Sequence, residues 1–226
     1  MDHKVFRLFT FSRLQGQYRI EGETIGYFGD LQWTISSPLD VVIGDVANLL
    51  IRDAVVRLGA HHLAVESVTV ERPRAEEGEI LVRTLSPITV HQTVWRPDGK
   101  PYALHLHPKD RKFQAIITDN LWQKYRAVHG AEAAMPAGAV HLEPIGQCRE
   151  RVILYKGGVI KGYTGRFFLE GPLPLVQVAL DAGLGSRNAQ GFGLVEIIDF
   201  AESSGGRNYA DGAARPTGAP ASRTKR

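Results

Sequence analysis

Residues 174–200 read Pro-Leu-Val-Gln-Val-Ala-Leu-Asp-Ala, then Gly183-Leu-Gly-Ser-Arg-Asn-Ala-Gln-Gly-Phe-Gly193, then Leu-Val-Glu-Ile-Ile-Asp-Phe200. Leu175, Val176, Val178 and Leu180 make the first segment a short apolar helix, and the last segment reads as a strand. A glycine-rich loop therefore joins a helix to a strand. Working backwards, residues 80–94 read as a strand interrupted at Ser86-Pro87, and the turn Pro97-Asp98-Gly99 makes a hairpin to residues 102–106. Pro108 and Asp110 start a helix with Phe113, Ile117, Leu121, Tyr125 and Val128 on one face, ended by Gly130. Residues 140–143 and 151–155 read as strands, and Gly157-Gly158 turns the chain into another over 159–169. The series is β-α-β-β-α-β with a hairpin insertion. That order predicts an α+β, ferredoxin-like unit: a four-stranded antiparallel sheet with two helices on one face, the architecture of the RRM.

Four glycines form a G-x-G clamp at each end of the loop, with Ser186, Arg187, Asn188 and Gln190 between them. Glycine permits positive φ and close approach of a backbone to a ligand. Successive exposed N–H groups make an anion-binding concavity, and Arg187 adds a planar fork suited to phosphate. Gly183, Gly185, Ser186, Arg187, Asn188, Gln190, Gly191 and Gly193 are accordingly candidate contacts to a phosphate backbone. A helix C′ cap accounts for Gly183 alone. No lysine follows these glycines, as a Walker A loop requires. The helix-to-strand order is also the reverse of a Rossmann turn.

The first half reads β-β-β-α-β. Residues 5–14 are rich in aromatic and β-branched residues, and residues 18–20 and 24–28 flank the turn Glu21-Gly22-Glu23. Residues 31–35 form a further strand. Ser37-Pro38-x-Asp40 supplies an N-cap, a proline at the first helical position and an early acid. The helix behind it runs to about Leu58, with Gly59 ending it, and residues 63–70 read as a strand. This is a ferredoxin-like unit without its opening strand and helix. The expected domains are 1–72 and 79–200, joined by a linker over 72–78, with a disordered Gly-, Ala-, Ser- and Pro-rich tail over 201–226.

The net charge of +3 in 226 residues is misleading. Setting aside 201–226, with five basic and two acidic residues, leaves 22 of each. A nucleic-acid surface must come from local clustering. Residues 149–166 carry Arg149, Arg151, Lys156, Lys161 and Arg166 against Glu150. Lys156, Lys161 and Arg166 are candidate RNA-backbone contacts, and Tyr163 shares a strand face with Lys161 for base stacking. The alternative is solvated sheet-edge decoration.

The single Cys148 excludes an internal disulfide framework and a cysteine-rich metal site. His61-His62, His91 and His105-x-His107 lack a third ligand at recognisable spacing, so no metal and no cofactor is expected and these histidines read as surface or core residues. With no run of eighteen apolar residues and no signal-peptide core, a cytoplasmic, membrane-free protein is expected.

Five strings in order resemble the sixth Cas family, the CRISPR-associated endoribonucleases that cut precursor CRISPR RNA within its repeats. They are Phe6-Arg-Leu-Phe-Thr-Phe-Ser-Arg-Leu14, Trp33-x-Ile-Ser-Ser-Pro38, Arg83-Thr-Leu-Ser-Pro-Ile-Thr-Val90, Tyr155-Lys-Gly-Gly-Val-Ile-Lys-Gly-Tyr-x-Gly-Arg-Phe167 and the glycine loop, covering about residues 4–200. The resemblance implies two tandem ferredoxin-like domains and a metal-independent reaction. In it the RNA 2′-hydroxyl attacks the adjacent phosphate, leaving a 2′,3′-cyclic phosphate. It implies precursor and mature CRISPR RNA as partners, retention within a larger interference complex, and compatibility with a homodimer. Family members carry a catalytic histidine on or just after the first helix, and a basic residue before Leu-Phe-Thr-Phe-Ser. The basic position carries over onto Arg7, with Lys4 nearby, and His3 is the histidine upstream. Two readings stay open: an endoribonuclease, and a subunit that holds repeat RNA without cutting it.

Overall fold

Short apolar runs broken by glycine govern the first half of the chain. The computed structural model describes residues 7–155 and 157–199. His3, Lys4, Lys156 and the 201–226 tail lie outside the described residues. Strand β1 (Thr10–Phe11) pairs with β4 (Ile35–Ser36), and β2 (Gln15–Glu21) pairs with β3 (Thr24–Gln32) across a turn at Gly22. The run read as one strand over 5–14 thus contributes a two-residue ladder among its described residues.

Helix α1 spans Asp40–Asp53. Its N-cap is Leu39, whose N–H is held by the Ser37 hydroxyl at 3.1 Å, so Ser37 stands two residues before the N-cap it was expected to form. The helix ends five residues before Leu58. Ala54 turns left-handed at φ 52°, and the β-branched Val55-Val56 then favours an extended chain. Strand β5 (Val55–Leu58) and β6 (His61–Ala64) form a hairpin across Gly59, replacing the strand expected over 63–70. No residue of α1 is buried; Val41 and Ile51 are about two-thirds exposed.

The second half follows its predicted order closely. It comprises β7 (Glu79–Thr84), β8 (His91–Trp95), β9 (Pro101–His105), α2 (Arg111–His129), β10 (His141–Tyr155), β11 (Gly158–Glu170), α3 (Leu173–Ala182) and β12 (Val195–Ile197). The sheet order is β10-β11-β7-β12, all antiparallel, with β8–β9 as a separate hairpin. This is the ferredoxin-like arrangement, in which the last strand joins the edge beside the first. The two strands expected over 140–143 and 151–155 are one strand, β10, carried through an irregularity between Ile145 and Arg149. Among the described residues, the first half's strands pair only two by two.

The core sits in the second half. Val82, Phe113, Ile117, Leu121, Leu142, Phe167, Leu169 and Leu175 belong to one fully buried cluster that joins the sheet to α2 and α3. Each such side chain contributes on the order of 1.5–3 kcal/mol. On the buried side of α2, Gln114 bonds both the carbonyl and the N–H of Leu142 at 2.9 Å, and Thr118 bonds those of Val140 at 3.2 and 3.0 Å. The helix thereby satisfies polar backbone at the edge strand β10.

The two halves meet at the glycine loop and the end of α3. Thr10 donates to the Phe192 carbonyl at 2.9 Å, Ser36 to the Asp181 carbonyl at 2.9 Å, and the Arg13 N–H to the Leu85 carbonyl at 3.0 Å.

Candidate functional site

The loop over 183–193 is shaped by the protein's own backbone. A Cβ on Gly185 would meet the Thr89 carbonyl oxygen at 2.5 Å, and one on Gly193 would fall on the carbonyl oxygen of Leu184. Both glycines also hold positive φ, near 70° and 80°. Glycine is therefore demanded twice over, by conformation and by space. Gly191 packs against the Phe11 ring, bringing the first half onto the loop.

Five of the loop's backbone donors are spent inside the fold. Leu184 N–H donates to Gly193, Ser186 N–H to Thr89, Gln190 N–H to Arg187, Gly191 N–H to Asn188 and Gly193 N–H to Pro87, all at 2.8–2.9 Å. These five N–H groups are therefore not among the exposed donors of the expected concavity. Asn188 is buried, and its amide donates to the carbonyls of Leu184 and Phe192 at 3.2 and 3.0 Å. The glycines and Asn188 thus set the shape of the loop. Ser186, Arg187 and Gln190 present its surface, the first two half-buried and Gln190 exposed.

Lys124, from the buried face of α2, anchors the loop from beneath. Its Nζ donates to the Gly183 carbonyl at 2.6 Å and the Gly185 carbonyl at 3.0 Å. The sequence reading missed this residue because a lysine on an otherwise apolar stripe looks like an ordinary helix charge. Its spacing of three from Leu121 and seven from Ile117 was the available signal.

Arg187 occupies the left-handed region at φ 62°. Its Nη1 donates to Gln190 at 3.2 Å, while its Nε is buried without a hydrogen-bond partner. Lys161 stands near: Thr89, which accepts the Ser186 N–H on its carbonyl, donates from its hydroxyl to the Lys161 carbonyl at 2.8 Å. Lys161 Nζ pairs with Glu150 at 3.1 Å, and Tyr163 donates to the other Glu150 oxygen at 3.0 Å. Those two bonds hold the Glu150 carboxyl below its usual range. Burial, then the Glu150 contact, pushes the Tyr163 hydroxyl up to about 12. Tyr163 is only 6 % exposed and meets the His107 ring edge-on at 4.9 Å, so its face is not open to a stacking base.

Two histidines border the same surface. His91 and His105 stand opposite each other on β8 and β9, with ring centroids 5.7 Å apart. His91 Nδ1 lies 3.2 Å from the Ser186 hydroxyl, and His105 Nδ1 lies 3.4 Å from the Thr89 hydroxyl. Burial, then the charges of Arg187 and Lys161, lower the His105 pKa against a hydrogen bond to Val159 that raises it. The hairpin signal was legible: a turn centred on Asp98 places residues 91 and 105 equally far from it.

The other candidates lie apart. Arg166 is five residues along β11 from Lys161, on the order of 16 Å away, and pairs in register with Arg83, which is bridged to Glu196. Arg7 is exposed near the start of the described chain. Among the described residues no group of three or more histidine, cysteine or acidic side chains is placed to hold a metal ion.

Residues 70–197 match the family model described as CRISPR associated protein Cas6, C-terminal. The chain is 29% identical over 203 residues to a CRISPR-associated endoribonuclease Cas6 of Methanocaldococcus jannaschii, covering 88% of this chain and 76% of that one. It is 28% identical over 195 residues to the Cas6 endoribonuclease of Pyrococcus furiosus, covering 84% and 70%. A solved structure of a Cas6-related protein from Pyrococcus furiosus superimposes with a TM-score of 0.76 at 23% identity, over 85% of this chain and 79% of that one, which shows a shared fold. The glycine loop and the sheet that frames it both lie within the matched stretch, which spans more than half of the sequence, and the chain is a member of the CRISPR-associated Cas6 family.

Proposed function

We propose that this chain is an endoribonuclease that cuts precursor CRISPR RNA within its repeats and holds the product through the surface around the glycine loop. Membership of the Cas6 family carries the reading, and the two curated relatives bear endoribonuclease names. In the reaction implied by the resemblance, a base removes the proton from an RNA 2′-hydroxyl, whose oxygen bonds the adjacent phosphorus. The P–O5′ bond breaks, and an acid protonates the departing 5′-oxygen. The products are a 2′,3′-cyclic phosphate and a 5′-hydroxyl, and fixed cations stabilise the charge that builds on the phosphorane.

Ser186, Arg187, Gln190 and Lys161 supply RNA contacts around the glycine loop, and Arg166 and Lys156 are proposed as further contacts to the RNA backbone. Arg7 and His3 are proposed for the chemistry, Arg7 as the cation beside the scissile phosphate. The retained product is the form in which the protein would join other subunits. No described helix is long and apolar enough to cross a membrane.

The test is incubation of the purified chain with labelled repeat RNA in EDTA. Cleavage that disappears on 2′-deoxy substitution at the cut site is the expected result. Tight binding without cleavage establishes a holding subunit instead, and absence of both overturns the assignment.

A further inference from the structure

We propose that His91 and His105 complete, with Ser186, Arg187 and Lys161, a single binding site for an RNA phosphodiester, at which phosphate binding is coupled to proton uptake by the two rings. The inference rests on the RNA-binding reading above.

The five side chains come from four parts of the fold. β8 supplies His91, β9 His105, β11 Lys161 and the glycine loop Ser186 and Arg187. Thr89 ties three of those parts together. Its carbonyl accepts from the Ser186 N–H and hydroxyl at 2.9 and 3.1 Å, and its hydroxyl donates to the Lys161 carbonyl and lies 3.4 Å from His105 Nδ1. The Thr89 proton is directed to Lys161, so its oxygen faces His105 as an acceptor and favours a proton on that ring nitrogen. His91 Nδ1 is set against the Ser186 hydroxyl in the same way. All five side chains are half-buried, so a ligand reaching them is partly desolvated.

This arrangement is costly in the absence of an anion. Two imidazoles at 5.7 Å sit beside a guanidinium and an ammonium, with Glu150 as the facing carboxylate. The groups acting on His105 are Arg187 from the loop, Lys161 from β11 and Glu150 from β10, together with the His91 ring opposite. Burial first, and then the two cations, lower the His105 pKa against the Val159 hydrogen bond that raises it. Glu150 offsets one of them, since Lys161 and Tyr163 already occupy it. A β-branched cross-strand pair would serve a hairpin better at these positions. A local rule broken in this manner is characteristic of a functional site. A phosphate placed between Arg187 and Lys161 offsets their charge, and the rings then gain protons and attract it through space, His105 keeping its bonds to Thr89 and the Val159 backbone.

The experiment follows the histidine C2–H resonances of the intact chain by NMR across pH, with inorganic phosphate and with a short, uncleavable 2′-O-methyl oligouridylate. Repeat-RNA affinity of wild type, His91→Gln and His105→Gln is measured in parallel at pH 6 and pH 8, with thermal melting as the folding check. The expected result is that the oligonucleotide shifts both resonances and raises both titration midpoints. RNA affinity of wild type rises about tenfold from pH 8 to pH 6, as one added proton at a raised midpoint allows, and each variant flattens that dependence. RNA binding with both resonances unmoved overturns this site and leaves the RNA reading standing. Resonances that respond to phosphate in a chain that does not bind RNA keep the anion site and overturn the RNA reading. No response to either probe overturns both. Since the resonances are read on wild type, poorly folded variants do not decide the matter.

Discussion

Lys124 reaches from the buried face of α2 to the end of α3 and donates from Nζ to the carbonyl oxygen of Gly183 at 2.6 Å. A second bond, to Gly185, makes the ammonium a staple under the loop. Replacing it by methionine keeps the apolar stem but leaves both carbonyls without this donor. Lys124→Met is expected to destabilise the protein by ~1–3 kcal/mol and to weaken RNA binding by loosening the surface that carries Arg187. Urea unfolding checks the first effect; a midpoint equal to wild type would show that the loop holds its shape without the lysine.

Two glycine substitutions separate conformational cost from steric cost. Gly59 has φ 62° with open space around a Cβ, whereas Gly193 has φ 80° and the Leu184 carbonyl in the way. Gly59→Ala should cost about 1–2 kcal/mol. Gly193→Ala should cost more than about 3 kcal/mol, since the loop must shift as well. Equal stabilities in guanidinium titrations would contradict the packing described for the loop.

Arg187→Ala is expected to leave the melting temperature nearly unchanged, because the side chain's one observed bond is to the exposed Gln190. RNA affinity should fall, and the slope of log affinity against log salt should decrease by about one. Binding measured across a salt series checks both quantities. An unaltered slope would remove Arg187 from the phosphate contacts.

In the proposed site, Lys161 is paired with Glu150 and would have to leave it to meet a phosphate. Its carboxyl is held low by Lys161 and Tyr163, so the small stabilisation from these bonds is present above the unfolded carboxylate pKa and is lost as pH falls through the lowered native value. Glu150→Gln should therefore change stability little at neutral pH, as an exposed pair usually does, while raising RNA affinity about two- to fivefold by freeing a cation. Fluorescence anisotropy with labelled repeat RNA measures this, and weaker binding in the variant would reverse the assigned role of the pair.

Much of the second half was legible because its signals are local. The run of Phe113, Ile117 and Leu121 marked the face of α2 that is buried, and Gly130 marked its end. The first half was harder to read. Val55 and Val56 continue the apolar spacing of α1, yet Ala54 breaks the helix before them, and periodicity does not register a single left-handed residue. The loop showed a similar division. Its glycines were conspicuous in sequence, and their need for positive φ was correctly inferred. Their closest neighbours are Asn188, Thr89, Phe11 and Leu184, however, and five of the backbone donors turn inward.

By itself the sequence determined the order of elements in the second half, the family and the glycine loop between α3 and β12, since each depends on residues close in the chain or on motifs that can be matched as strings. Only the tertiary structure decided what faces what. Lys124 lies about sixty residues before the loop it holds, and Glu150 claims both Lys161 and Tyr163 across a strand pair. His91 and His105 meet the loop through Ser186 and Thr89. Such relations follow from sheet register and side-chain direction, which the packing of the whole core sets and no short window of sequence contains.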